Sequence, residues 1–170
     1  MKILPKFLFF LLPPVVFFLL AMGGINYYFS VKSLNKLAET WLSGKLTEAV
    51  KVLDEQETNL RKYGLENIPG SRVKARMDAA KLFNAIDMGN QGYIFAVDSA
   101  GAVKIHPDKN MLGEKVSQAD WFKKVKNGES KVTFIFHGKP NLAIARCFQP
   151  WEWYVLVADP VEDYYGPANN

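Results

Sequence analysis

Six side chains in the second half of the sequence have the chemistry to hold a small polar molecule. Arg146 alternates with large apolar residues in a segment typical of a strand, and a guanidinium can bind a carboxylate through two parallel hydrogen bonds. The others offer a hydroxyl donor, two bases that could pair with an anion, an acid that could hold an amine, and an aromatic wall: Tyr93, Lys104, His106, Asp159 and Trp121. Together they predict a binding site for a small organic ion.

Each of these residues also has a structural interpretation. Arg146 could lie in solvent at the rim of a sheet, and Asp159 could cap a loop. Lys104 and His106 share one face of a regular strand, opposite Val103 and Ile105, and both would be solvated if that face pointed outward. Tyr93 and Trp121 could simply pack in the core, as we expect of Phe134 and Phe136.

The segment that contains Arg146 gives a separate reason to expect a cavity. Leu142, Ile144, Arg146 and Phe148 share one face of this strand, and Ala143, Ala145 and Cys147 share the other. Small side chains on a buried face either let a helix approach closely or leave volume for a ligand. The sequence leaves both interpretations open.

Catalytic chemistry finds little support in the sequence. There is no glycine-rich phosphate loop, and the two histidines and the single cysteine lack metal-ligand spacing. Ser117 has no histidine at motif spacing, and Asp54, Glu55 and Glu57 lie on a charged helix face. The net charge of +4 is spread along the chain. We therefore expect no enzyme, no metal, no cofactor and no nucleic-acid partner.

The first element predicted to position these residues is a membrane anchor over residues 1–30. Phe7 to Phe29 contains 23 residues without a charge, and such a helix is about 34 Å long against roughly 30 Å of bilayer hydrocarbon. A cleaved signal peptide is the alternative, because Lys2 and Lys6 precede the apolar run and Ala21-Met22-Gly23 offers small residues to a peptidase.

A long helix is predicted to follow the anchor, over residues 31–62. Its apolar residues form one stripe with mostly three- and four-residue steps: Leu34, Leu37, Trp41, Ala49, Leu53 and Leu60. The stripe predicts packing against the domain that follows, with a parallel dimer seam as the alternative. The partner that we expect at this helix is a second copy of the chain.

The remaining segments predict an α+β fold, in which the long helix covers one face of a single antiparallel sheet of about five strands. After a break at Ile68-Pro69-Gly70, a second helix is expected over 71–88. Ser117 and Asp120 read as a capped start of a third helix, which ends near Gly128. The expected strands are 92–98, 102–106, 131–137, 142–148 and 153–159, with a hairpin loop at 137–141.

Several motifs recur in an order that resembles a known family. They are Gly92-Tyr93-Ile94-Phe95, Asp98, Gly101, His106-Pro107, Asp120-Trp121-Phe122 and Phe148-Gln149-Pro150-Trp151-Glu152-Trp153. This set resembles the Cache-type extracytoplasmic sensor domain over residues 31–163, which leaves a frayed tail at 164–170. The resemblance implies a PAS-like sheet that faces the periplasm or the cell exterior. It also implies a small ligand, often an organic acid or an amino acid, held between the sheet and small helices.

The resemblance further implies a role in signal transduction, feeding a histidine kinase, a chemoreceptor or a cyclic-dinucleotide enzyme. The sequence departs from the usual family pattern, because it has neither a second span nor an output domain. We therefore expect either a fragment of a receptor or a stand-alone domain, anchored by a single pass in the cytoplasmic membrane. The alternative function is structural, namely an anchored assembly domain that docks a protein partner through exposed aromatic residues.

Overall fold

The computed structural model describes the backbone of residues 4–89 and 91–162 and the side chains of residues 12–89 and 91–162. The predicted tail at 164–170 lies outside the described residues. The predicted α+β fold class is confirmed. In chain order the helices and strands are α1 (Leu4–Lys62), α2 (Pro69–Ala85), β1 (Tyr93–Asp98), β2 (Val103–Ile105), α3 (Asp120–Lys126), β3 (Lys131–Phe136), β4 (Lys139–Phe148) and β5 (Trp153–Pro160).

Helix α1 runs for 59 residues, through Pro13 and Pro14, without a break in the helical assignment. From Leu12 onward it contains a stretch that is long and apolar enough to cross a membrane, judged by length and composition. The chain divides into two compact units after Ala38. The domain boundaries expected at residues 30 and 163 stay predictions.

The buried stripe of α1 differs from the predicted one in its first part. Ala49, Leu53 and Leu60 are buried as expected, whereas Leu37 is 67% exposed and Leu34 and Trp41 are also exposed. Leu42 and Leu46 take the buried positions instead. The steps 42, 46, 49 and 53 keep one helical face apolar, whereas continuing 34, 37 and 41 by the same steps leads to Lys45 and Glu48. Apolar spacing alone could not choose between these faces.

The five strands form one antiparallel sheet in the order β2-β1-β5-β4-β3, and both of its faces are largely covered. One face, here called the α3 face, packs Phe95, Val97 and Leu156 against Phe122 of α3. The opposite face, here called the α2 face, carries the alternate residues, including the buried Ile94, Ala96, Val155 and Val157. Helix α2 packs against β1.

A tight turn joins β1 to β2, and its geometry explains why the sequence has Asp98 and Gly101 at these positions. The Asp98 carboxylate accepts hydrogen bonds from the backbone N–H groups of Ala100 at 3.0 Å and Ala102 at 2.8 Å. Gly101 has φ +83°, and a Cβ there would lie 2.7 Å from the backbone nitrogen of Ser117. Only glycine fits this position, since any side chain would be strained and would meet the chain ahead of α3.

The β3–β4 hairpin is tighter than predicted. The connection consists of His137 and Gly138, with φ 50° and 76°, rather than of residues 137–141. Positive φ at both positions is the signature of a two-residue turn whose twist matches the flanking strands. Pro140 lies inside β4 opposite Ile135. A proline near the start of a strand removes only one hydrogen-bond donor from the ladder. Pro140 is therefore tolerated inside β4, and its presence did not require the loop to extend to residue 141.

The ends of α2 and the cap of α3 also differ from the predicted ones. Pro69 is the first residue of α2 rather than part of a break before it, because a proline at the first helical position has no N–H to leave unpaired. The helix ends at Ala85, three residues before the expected Met88. In α3 the residue before the helix is Ala119, and no side chain caps the helix, so the expected Ser117 cap does not form.

Candidate functional site

Six rings from four parts of the chain meet over the α3 face. Trp121 and Phe134 have ring centroids 5.1 Å apart, Tyr93 and Phe136 lie at 5.4 Å, and His106 lies 5.3 Å from Phe136. This group is called the aromatic cluster, and its members are Tyr93, Phe95, His106, Trp121, Phe134 and Phe136.

Small side chains in the middle of the sheet let these rings meet. β1 and β3 are separated by β5 and β4, so their backbones lie about 14 Å apart at the usual strand spacing. The rings of Phe95 on β1 and Phe134 on β3 nevertheless approach to 6.0 Å. Ala143 and Ala158 are fully buried on the strands between them. The sequence left open whether the alanines of β4 admit a helix or leave volume for a ligand. In the structure, aromatic rings occupy the space above them.

On the α3 face, at this end of the sheet, two polar atoms are buried and unsatisfied. Among the residues that the structure describes, neither the hydroxyl of Tyr93 nor Oδ1 of Asn141 finds a hydrogen-bond partner. Asn141 is only 1% exposed, and its Nδ2 donates to the carbonyl of Lys139 at 2.9 Å. It shares the α3 face with Ala143, which pairs with Ala158 opposite Tyr93. Asn141 is not among the predicted site residues, because the sequence pattern indicated a loop at residues 137–141, whereas Asn141 lies in β4.

The Tyr93 hydroxyl is held in its protonated form. Burial and the nearby Asp159 carboxylate both raise the pKa of Tyr93 above its ordinary value. The hydroxyl is therefore available as a hydrogen-bond donor. Asp159 is itself 6% exposed, at the end of β5. The two residues that the sequence singled out as donor and acid thus lie within electrostatic reach of each other.

His106 is buried and its tautomer is fixed by the backbone. Its Nδ1 accepts a hydrogen bond from the N–H of Asp108 at 3.0 Å, so the neutral ring carries its proton on Nε2. Burial lowers the pKa of His106, although the same backbone bond and Asp108 act in the opposite direction. The ring is therefore a neutral donor through Nε2–H.

A bulge places Lys104 and His106 in different surroundings, against the expectation that they share a face. The β1–β2 register shifts between Ala96 and Val97, so that Val103 pairs with Val97 and Ile105 with Ala96. An extra residue in one strand reverses the facing of everything beyond it. His106 joins the aromatic cluster, whereas the ammonium of Lys104 lies 2.9 Å from the carboxylate of Asp98.

Arg146 lies apart from the aromatic cluster. It follows Ala145, which packs on the α3 face, so alternation along β4 places Arg146 on the other face. Its side chain is exposed. Of the six predicted residues, the structure brings Tyr93, His106 and Trp121 together and places Asp159 near Tyr93. It does not bring Arg146 or Lys104 to them.

A buried hydrogen bond connects α1 to the segment between β4 and β5. The indole Nε1 of Trp151 donates to the carboxylate of Glu57 at 2.8 Å, and Arg61 donates to the same carboxylate at 2.7 Å. Burial raises the pKa of Glu57, but the bonds from Arg61 and Trp151 outweigh it and the net direction is downward. Glu57 is thus an ionised acceptor that joins the helix to the sheet.

In the part of the chain that the structure covers, no group of three His, Cys, Asp or Glu side chains could hold a metal ion. The two histidines lie near each other across Asp108, whose carboxylate is 3.5 Å from Nε2 of His137. This pair is exposed on the His137 side and has the character of a surface contact.

Comparison with known proteins supports the resemblance seen in the sequence. The profile of single Cache domain 2 matches residues 34–170. A periplasmic sensor domain of a chemotaxis protein superposes with a TM-score of 0.60 at 16% identity, over 74% of this chain and 97% of that one. A Cache chemosensory domain described for carboxylic acid recognition gives 0.61 at 16% identity, over 76% and 97%.

No curated protein matches the chain. At 16% identity the structural likenesses establish the fold, and the family is established by the profile, which spans most of the sequence. The chain therefore belongs to the single Cache domain 2 family.

Proposed function

We propose that the chain is an extracytoplasmic sensor module that binds a small amino acid at the aromatic cluster and passes the signal through α1. The observation that carries this proposal is the pair of unsatisfied polar atoms, Tyr93 Oη and Asn141 Oδ1, buried at one end of the α3 face. Leaving such a group without a partner costs about 1–3 kcal/mol. A ligand that bonds to both would remove that cost.

The polar groups of the site match the two ends of an amino acid. The Tyr93 hydroxyl and His106 Nε2–H can donate to a carboxylate, while Asn141 Oδ1 can accept from an ammonium. Asp159 follows Ala158 and so points to the other face of the sheet, but its charge reaches Tyr93 and would also attract an ammonium there. Aromatic faces also attract an ammonium. Because Arg146 and Lys104 lie elsewhere, a carboxylate here would meet neutral donors only. That arrangement favours a zwitterion over a dicarboxylate, since the protein's own carboxylate repels a second negative charge.

Binding requires some rings of the aromatic cluster to move aside. The rings on the edge strand of the sheet are the ones that can move most easily. Phe134 and Phe136 lie on β3, the edge strand, and both are only partly buried. Ile135 between them is 77% exposed. Edge segments with few buried contacts open most readily. A ligand that replaces ring contacts would then favour one of two arrangements of β3 and α3, and a shift from 1:99 to 99:1 needs about 5.5 kcal/mol of discrimination.

The relatives support the compartment and the role. One solved neighbour is a periplasmic sensor domain of a chemotaxis protein, and another is described for carboxylic acid recognition. Cache sensor domains are ligand-binding and non-catalytic, which agrees with a role other than catalysis here. We infer that α1 anchors the domain by a single pass, with the sensor outside the cytoplasm. The output partner would then be a histidine kinase or a chemoreceptor.

The proposal is tested by thermal-shift screening of the full chain in lipid nanodiscs against amino acids and dicarboxylates. We expect an amino acid to raise the melting temperature, and Tyr93→Phe to remove most of that rise while leaving the ring cluster intact. Arg146→Ala is the matched control, because it changes an exposed residue on the other face. A rise that survives Tyr93→Phe but is lost in Arg146→Ala would overturn the assignment of the site.

If no amino acid stabilises the chain at millimolar concentration, the sensor proposal fails for this ligand class. The alternative of an assembly domain would then be favoured by a stable complex with a protein partner. Stabilisation by dicarboxylates alone would keep the sensor role and overturn the zwitterion preference.

A further inference from the structure

A second concave site lies between α2 and the β2 region, and among its lining residues His106 also belongs to the aromatic cluster. Its volume is about 400 Å³, within the range of about 300–1,000 Å³ typical of small-molecule sites. Three basic side chains and three exposed apolar side chains give the groove its character. They are Arg76, Lys104 and Lys109, and Val73, Met77 and Leu112. This feature is called the α2–β2 groove.

The charges around the groove are unbalanced. Within the described ranges, no acidic side chain lines it. Lys104 is paired with Asp98 at 2.9 Å, and that carboxylate also accepts the N–H groups of Ala100 and Ala102. Asp98 therefore balances Lys104, which leaves Arg76 and Lys109 as cations that a ligand could neutralise.

Arg76 is the best-placed of these cations. Its guanidinium lies 5.2 Å from the ring centroid of Trp153 and 5.8 Å from that of Trp151, so it is held against two indole faces. Nε of Arg76 is buried and meets no hydrogen-bond acceptor in the portion of the chain that is described. Burial and the neighbouring Arg72 lower the pKa of Arg76, and the Asp98 carboxylate offsets this only in part, so the net direction is downward. A bound anion would supply negative charge that Arg76 does not receive in full from its neighbours.

The apolar side chains of the groove determine the chemistry of the part of the ligand that is not charged. Val73 is 55% exposed, Met77 59% and Leu112 48%, all beside the cations. Covering such side chains contributes about 25 cal/mol per Å² of apolar surface removed from water. A fully hydrated inorganic anion would leave them exposed, whereas a carboxylate with a short hydrocarbon chain would cover them.

We propose that the α2–β2 groove binds an aliphatic monocarboxylate, whose carboxylate is held by Arg76 and Lys109 and whose chain covers Val73, Met77 and Leu112. Helix α2 packs on one side of the sheet, and the aromatic cluster lies on the other. His106 borders both sites, but the residues proposed to hold the monocarboxylate are not those proposed to hold the amino acid, so either proposal can fail alone.

Methionine methyl groups allow the two sites to be observed separately. Met77 lines the groove, and Met111 packs against the core cluster of the α3 face. The full chain in nanodiscs, labelled with ¹³C at its methionine methyl groups, is titrated with hexanoate and, in parallel, with hexanamide as the neutral isostere. We expect hexanoate to shift the Met77 signal saturably at millimolar concentration. Hexanamide should shift it little.

Substitutions then test the contacts. Arg76→Gln should weaken hexanoate binding by about tenfold or more, since a hydrogen bond to a charged group contributes about 1.5–3 kcal/mol. Lys109→Gln, at an exposed 3₁₀ turn, should weaken it severalfold without affecting the fold. Arg146→Gln should leave the affinity unchanged.

Three results would overturn the proposal. The first is no Met77 shift in the unmodified chain, and the second is an equal response to hexanamide. The third is a hexanoate shift at Met111 without one at Met77, which would place the carboxylate in the aromatic cluster instead. If Arg76→Gln perturbs the fold, an unchanged affinity in Lys109→Gln would reject the charge recognition on its own.

Discussion

His106 is the residue at which the proposed site responds most directly to pH. It is buried among rings, with Nδ1 bonded to a backbone N–H, and burial lowers its pKa below the ordinary value of about 6.5. Protonation would put a charge into the aromatic cluster and disrupt its packing with Tyr93 and Phe136. The neutral ring is therefore part of the folded state as well as the donor proposed for the ligand.

The sign of the pH effect follows from this shift. Below about pH 6.5 the unfolded chain binds a proton at His106 that the folded chain resists, so the free energy of unfolding should fall as pH drops from about 7.5 toward about 5. The carboxylates with lowered pKa, Asp98, Asp108 and Glu57, lose their contribution only at lower pH.

Urea denaturation of the full chain across this range measures the effect, and His106→Phe should flatten the dependence. His137→Gln, on the exposed side of Asp108, serves as the control and should keep most of it. A pH slope that is unchanged in His106→Phe would show that another group is responsible.

The chemistry of single residues was easier to predict than their positions. Tyr93, His106 and Trp121 were identified from residue type and motif, and they do meet. Arg146 was assigned correctly to the face of β4 opposite the alanines, but a strand pattern does not say which face the polar site will occupy. Asn141 was not predicted as a site residue, because the neighbouring Pro140 suggested a loop. The β3–β4 turn consists of only two residues, so Asn141 lies in β4.

At the scale of elements, Trp151 makes a buried hydrogen bond between the segment that joins β4 to β5 and α1. Its indole donates to a buried carboxylate, and the rings of Trp151 and Trp153 meet edge to face at 5.0 Å. Trp151→Phe keeps an aromatic ring but removes the donor. We expect the free energy of unfolding to fall by about 1.5–3 kcal/mol, the usual range for a hydrogen bond to a charged group.

Chemical denaturation of the full chain tests this expectation, with Tyr63→Phe as the control. Tyr63 follows α1 and is 66% exposed, so removing its hydroxyl should change stability by less than about 0.5 kcal/mol. Equal losses in the two variants would mean that the bond to Glu57 adds nothing beyond general packing.

The order of elements could be predicted from the sequence, but not the facing of each one. All five strands appear near the predicted positions because periods of two and short apolar runs are local properties. The bulge between Ala96 and Val97 is a property of a pair of strands, and it alone separates His106 from Lys104. Likewise, which of the two apolar faces of α1 is buried depends on tertiary packing, and the spacing of apolar residues does not show this.

At the scale of the whole molecule, the two faces of the sheet carry two chemically different proposed sites. The aromatic cluster offers neutral donors and an amide acceptor, whereas the α2–β2 groove offers cations beside apolar side chains. Trp153 lines the groove and contacts Trp151, which bonds to α1. A ligand in either site could therefore bias the same helix, one through the sheet and the other through the tryptophan pair.

The exposed apolar residues of α1 lead to a prediction about assembly. Leu37 and Trp41 are one helical turn apart and stay exposed, although their types suit a buried stripe. We expect them to form the seam of a parallel homodimer, the partner predicted from the sequence. In such a seam the two copies of residue 37 face each other. Leu37→Cys should therefore crosslink under mild oxidation in membranes, in a chain whose native Cys147 is replaced by serine.

Ser43→Cys is the matched control for the seam, because it is exposed on α1 and points about 120° away from Leu37 at 100° per residue. It should crosslink far less. Leu37→Ala should shift the chain toward monomers in nanodiscs, since the substitution removes apolar area from each half of the seam. Equal crosslinking at both positions would indicate random collision rather than a defined interface. Efficient crosslinking at Ser43 alone would place the interface on a different face of α1.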